Sequence, residues 1–173
     1  MFAIDEKPYT EFLRGRAVRK VSPKRRHARL QLFVGAILTS QSADAGIVGS
    51  EWRFTMPREA RRTTLVPDIA FVTHERIRIL DHDDREQPPF APDLAVEIRS
   101  PGDLERNIVE KIDIYLRNGS LCVLDIDVEN RSVHCYDADG SITFNEGELL
   151  ISSLLPWLRI DVRALFESAD LPY

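Results

Sequence analysis

The sequence predicts an α/β fold in which a central mixed β-sheet is flanked by helices. Three observations carry this expectation. Helical and strand periodicities alternate along the chain instead of segregating. Two strand-like runs open with Pro-Asp, Pro67-Asp-Ile-Ala-Phe-Val72 and Pro92-Asp-Leu-Ala-Val-Glu-Ile98. Segments 23–43 and 104–118 each carry an apolar stripe at helical spacing, suited to covering a sheet.

Each element has a local reason. Residues 8–13 read as a short helix opened by Pro8 and broken at Gly15, with Arg16–Val21 extending as a strand. Ser22-Pro23 looks like a helix start, with serine as the cap and proline in the first turn. Leu30, Phe33, Val34, Ile37 and Leu38 then recur at helical spacing to about Ala43, and His27 shares their stripe. Gly46–Met56 reads as a strand and 57–66 as a basic loop. Leu65–Thr73 is the first Pro-Asp strand, and His74–Ile79 a helical turn. The Asp81–Ala91 connection is acidic and contains prolines, so its Asp-His-Asp-Asp run reads as a solvated tip.

The second Pro-Asp strand ends at Ser100-Pro101-Gly102-Asp103, where Asp103 can cap a helix that Gly119 closes. Cys122–Asp127 and Ser132–Asp137 form a predicted hairpin. Asp139-Gly140 turns the chain into Ile142–Phe144. Leu149–Ile160 is apolar and interrupted by Pro156, and Asp161 can cap a last helix through Phe166.

Composition bounds the class. The 173 residues are 43% hydrophobic and 29% charged, which suits one domain over 1–173 with a substantial core. No run of about 18 apolar residues occurs, so no membrane helix is expected. Residues 1–9 are acidic and poor in apolar side chains, unlike a signal peptide, and a cytoplasmic location is expected. Cys122 and Cys135 form no C-x-x-C pair and read as small core hydrophobes. The net charge of −5 conceals an asymmetry: residues 11–30 hold eight basic residues against Glu11 alone. A basic stretch on an acidic body can hold phosphate backbones, so nucleic acid is the expected partner.

The chemistry concentrates on the second Pro-Asp strand. Alternation puts Leu94, Val96 and Ile98 on one face, and Asp93, Ala95, Glu97 and Arg99 on the other. Carboxylates brought into a sheet by two strands are raw material for a hard-metal site, and such a site suits phosphodiester hydrolysis. Lys111 adds to this. On its helix it falls about 20° from Leu104 and about 40° from Tyr115, so it points at the sheet. An inward lysine needs a carboxylate, and Glu97 lies on the preceding strand.

These motifs, in this order, resemble the Uma-type family of small bacterial endonucleases within the PD-(D/E)XK, or restriction-endonuclease-like, superfamily. The resemblance rests on Glu11-Phe-Leu-Arg-Gly15, Ser22-Pro23 with Arg26-His27, Val66–Val72, Pro92–Pro101 and Glu110-Lys111 with Tyr115 and Gly119. Val123-Leu-Asp125, Leu155-Pro156 and Leu165-Phe166 continue it to the C-terminal end.

The resemblance implies a restriction-endonuclease-like core and a metal-dependent nuclease. Asp68 and Glu97 are then the metal carboxylates, holding Mg²⁺ or Mn²⁺, with Asp93 the rival to Asp68. Glu11 is a further catalytic carboxylate. The superfamily's lysine usually follows the glutamate by two residues. Here that position is Arg99, which holds its proton too tightly to act as a base. Lys111 on the helix takes the lysine's place, orienting the attacking water or stabilising transition-state charge. Arg25, Arg26 and Arg99 are candidate contacts to flanking phosphates, with DNA the expected nucleic acid. His27 reads as a satisfied core histidine. One alternative is a non-catalytic nucleic-acid-binding module on a decayed nuclease core. Another is an interaction protein, such as a homodimer, whose Asp68, Glu97 and Lys111 form only a buried ion network.

Overall fold

The computed structural model describes residues 9–170. It begins with a hairpin of β1 (Thr10–Leu13) and β2 (Arg16–Arg19). The short helix expected over 8–13 is therefore a strand where it can be described, and Pro8 lies outside the described residues. Turn chemistry decides this: Arg14 and Gly15 both adopt positive φ, 49° and 87°, as a two-residue hairpin turn requires.

Helix α1 (Arg25–Ser42) follows. It starts at Arg25 after Lys24 with no side-chain cap, so Ser22-Pro23 precedes the helix and does not open it. Its Leu30, Val34 and Leu38 are fully buried, in keeping with the predicted stripe. The strand expected over 46–56 divides into β3 (Gly46–Ser50) and β4 (Phe54–Thr55). The break falls at Glu51, whose φ of 51° is foreign to a strand. The basic loop contains β5 (Thr64–Leu65), which joins β1 and β4 in a small four-stranded sheet. Then come β6 (Ile69–Thr73), α2 (His74–Arg78) and α3 (His82–Glu86).

Strand β7 (Leu94–Ile98) leads into α4 (Glu105–Arg117) and β8 (Cys122–Asp127). Asp103 does not cap α4; its carboxylate accepts from the Ser100 amide, and the N-cap is Leu104. Leu104 is half exposed and lies outside the apolar arc assigned to it. Strands β9 (Ser132–Asp137) and β10 (Gly140–Asn145) extend the sheet. The small hairpin β11 (Leu149–Ile151) and β12 (Arg159–Asp161) precedes α5 (Val162–Asp170). Asp161 caps α5, accepting from the Ala164 amide at 3.1 Å.

The main sheet has the order β10-β9-β8-β7-β6-β3. Only β7 and β8 run parallel, and α4 makes the crossover between them. The sheet is thus mixed and flanked by helices. One face packs Ile69, Phe71, Val96 and Ile98 against α1 and α5. The other packs Ala70, Ala95 and Val123 against Ile112, Ile114 and Tyr115 of α4. Glu97 belongs by alternation to the α4 face, which brings it under Lys111. Among the described residues no helix is long and apolar enough to cross a membrane.

Candidate active site

The antiparallel register pairs Ile69 with Val96 and Ala70 with Ala95. Continued by one residue, it sets Asp68 opposite Glu97. Asp68 bends toward the end of β7, where its Oδ2 accepts the Ile98 amide at 2.7 Å. Asp68 and Glu97 line one cavity of about 70 Å³ with Glu11, Lys20, His27 and Lys111.

Lys111 Nζ lies 2.8 Å from Glu97 Oε2 and 2.8 Å from Glu11 Oε2. One turn further along α4, the Tyr115 hydroxyl donates to Glu97 Oε1 at 2.7 Å. Glu11 reaches the site from β1 and is itself fixed, its Oε1 accepting the Val66 amide at 2.8 Å. Helix spacing explains the pairing of Lys111 with Tyr115, since side chains four residues apart share a face.

Asp68 has its own cation. Lys20 Nζ donates to Asp68 Oδ1 at 2.8 Å and to the Val66 carbonyl at 2.7 Å. His27 Nε2 stands 3.3 Å from Asp68 Oδ2. His27 is thus a member of the cavity wall and not a core residue, and its Nδ1 is buried without a partner among the described residues.

The electrostatics separate the two carboxylates. Burial alone would push Asp68 up, but the Lys20 ammonium and His27 hold it well below the usual carboxylate range. Burial pushes Glu97 up; Lys111 and Lys20 offset part of this, Glu11 and Asp68 add to it, and the carboxyl stays above its ordinary value. Glu97 therefore takes a proton before Asp68 does. For Lys111, Glu11 and Glu97 outweigh the opposing effect of burial, so its proton is held above the ordinary lysine value. It acts as a cation at neutral pH and cannot serve as a base. Burial raises the Tyr115 hydroxyl well above its ordinary value, with the neighbouring carboxylates adding to the effect, so it remains a donor.

Tyr115→Phe is expected to destabilise the protein by about 1–3 kcal/mol, because it removes a buried donor from a carboxylate. Urea denaturation measures this, and an unchanged midpoint would contradict the role given to the hydroxyl.

Not every predicted residue joins the cavity on the expected terms. Asp93 sits at the far end of β7 and holds the Thr73 amide and Arg76, each at 2.8 Å. Arg99 borders the cavity but is bound to Asp125 through Nε and Nη2 and to Glu105 through Nη1. Arg26 pairs with Asp170 at 3.3 Å, and Arg25 contacts the Ala169 carbonyl at 3.4 Å. Arg25, Arg26 and Arg99 nonetheless line a neighbouring cleft of about 770 Å³. Arg14 and Arg16 are paired with acids of the body, so the basic run is less free than its charge count suggests.

Sequence reasoning missed Lys20 as a site residue. One weak signal existed: it lies in the basic 11–30 stretch whose one acid is Glu11. Tyr115 entered only as part of a helix motif, and its hydrogen bond to Glu97 is visible only in three dimensions.

A metal fits here only in one form. Among the described residues no three His, Cys, Asp or Glu side chains cluster as metal ligands, so a cage made wholly of protein is excluded. Mg²⁺ does not need one. It binds through one or two carboxylates, with waters and substrate phosphate completing the shell. Asp68 and Glu97 would be those carboxylates; in this structure their oxygens accept from Lys20, the Ile98 amide, Lys111 and Tyr115. Glu11, Asp68 and Glu97 set against Lys20 and Lys111 also leave the wall one negative charge in excess.

The class is α/β: a six-stranded mixed sheet with one parallel crossover, carrying Asp68 and Glu97 on neighbouring antiparallel strands. The profile of the Uma2 family, described as "Putative restriction endonuclease", matches residues 2–163, and the chain belongs to that family. A similar solved structure is a "putative nuclease belonging to DUF820" from Anabaena variabilis, with a TM-score of 0.84 and 22% identity. The match covers 95% of this chain and 93% of that one, and at this identity it speaks for the fold. No curated protein matches the chain.

Proposed function

We propose that this protein is a metal-dependent nuclease that hydrolyses phosphodiester bonds of DNA. The observation that carries the proposal is the meeting of Asp68, Glu97, Lys111 and Glu11 in one cavity. Asp68 and Glu97 would hold Mg²⁺ or Mn²⁺, which when bound activates water and draws charge from the scissile phosphate.

The protein's own groups supply the rest. Lys111 keeps its proton and presents a fixed ammonium to the phosphate or the attacking water. Glu11 holds Lys111 in place. Tyr115 fixes the Glu97 carboxylate and so limits its rotation. Arg25 and Arg26 border the adjoining cleft and contact flanking phosphates, while Arg99 reaches the backbone only by sharing its guanidinium with Asp125. Phosphate contacts position the strand and carry no base information, so little sequence preference is expected.

The second reading is a binding module that does not cleave, and the hold of Lys20 on Asp68 favours it. One experiment separates the two. Purified wild type and Glu97→Gln are incubated with DNA and Mg²⁺ or Mn²⁺, with and without EDTA. The nuclease reading expects cleavage by wild type alone and its loss in EDTA. Salt-dependent binding without cleavage under either metal would select the module.

A further inference from the structure

We infer that Lys20 is a built-in counter-ion occupying the metal-facing side of Asp68, and that metal loading requires its withdrawal. The inference rests on the metal reading above and concerns a residue to which that reading gives no part.

Lys20 and Lys111 are held differently. Lys111 bridges two carboxylates, Glu11 and Glu97, so moving it would strand both. Lys20 is bound to one carboxylate and one carbonyl. It sits just beyond the end of β2, in a stretch without regular structure that runs to α1. Its stem carries four rotatable bonds, so the ammonium can move while the backbone stays in place.

The ammonium also has somewhere to go. A second cavity of about 250 Å³ lies beside the first, and Lys20, His27 and Asp68 line both. Its wall includes Glu51. The Glu51 amide donates to the Asp68 carbonyl at 3.2 Å, which keeps this wall next to the site. Lys20 can therefore leave Asp68 Oδ1 and stay within a cavity that both residues line.

Charge favours exchange over addition. With Lys20 in place, a divalent cation would turn an excess negative charge into an excess positive one within a buried wall. With Lys20 withdrawn, Glu11, Asp68 and Glu97 balance Lys111 and the cation. A buried group of charges is least costly when it is neutral and fully paired. An occupant of the site also weakens apparent affinity by the fraction of time for which it leaves the site open.

The test titrates wild type, Lys20→Met, Lys20→Gln and Asp68→Asn with Mn²⁺, following free Mn²⁺ by its paramagnetic resonance signal. Lys20→Met is expected to bind Mn²⁺ about ten-fold tighter than wild type, as for a site that the ammonium leaves open a tenth of the time. Lys20→Gln covers the case in which the methionine variant does not fold, and it should shift the same way. Equal or weaker binding by the Lys20 variants, with binding lost in Asp68→Asn, overturns the role of Lys20 and leaves the metal site standing. Binding that Asp68→Asn does not alter, or no binding by any variant, removes the metal site and this inference together. A crystal of the wild type with Mn²⁺ should show Lys20 Nζ out of reach of Asp68 Oδ1. Retention of that bond beside bound Mn²⁺ would also overturn the inference.

Discussion

Lys111→Met is expected to destabilise the protein by about 3–5 kcal/mol, the loss typical of a buried ion pair that forfeits one partner. The lysine is the shared cation of Glu11 and Glu97, and both acids lie in the wall of a small cavity. Without it, two carboxylates face each other with little water to screen them. The variant's stability should therefore depend on pH. Glu97 is raised even with Lys111 present, and its removal raises Glu97 further. A group with a raised folded-state value contributes stability that is present below its unfolded pKa and lost as the pH rises through the folded one. Lys111→Met should thus be weakest at alkaline pH and recover in mild acid. Denaturant titrations at pH 5 and pH 8 check this, and a loss equal at both would count against the shared-cation account. DNA cleavage should disappear at either pH.

Asp68→Asn is expected to abolish Mn²⁺ binding and metal-dependent cleavage, since it removes the carboxylate that stays ionised most strongly. It should also change the response to acid. Asp68 is held below its ordinary value by Lys20 and His27 against the opposing effect of burial. Such a group contributes stability that is present above its unfolded pKa and lost as the pH falls toward the folded one. Wild type should therefore lose stability as the pH drops below about 4. The asparagine variant should start less stable, with Lys20 deprived of its carboxylate, and lose less over that range. A parallel fall in both proteins would mean that other carboxylates govern acid unfolding.

The sequence by itself determined the frame of this protein. Strand alternation placed Glu97 opposite the Leu94–Val96–Ile98 face, and helical phase turned Lys111 inward, because both depend only on local geometry with periods of 2 and 3.6. The turn at Gly119 and the cap at Asp161 were legible for the same reason. What failed locally was also local chemistry. The Arg14-Gly15 turn made residues 10–13 a strand, because pairing with β2 outweighs the weak helical signal of a four-residue segment.

Only the tertiary structure decided the composition of the site. Asp68 and Asp93 look alike in sequence, each following proline at a strand start. The antiparallel register of β6 and β7 sends one to Glu97 and leaves the other at the far end with Arg76. Lys20 and Arg99 are both cations that pair with an aspartate on a distant segment of the chain. Lys20 reaches Asp68, 48 residues away, whereas Arg99 is taken by Asp125 on the neighbouring parallel strand. Such choices depend on which strands become neighbours, a matter of global packing that no local period encodes.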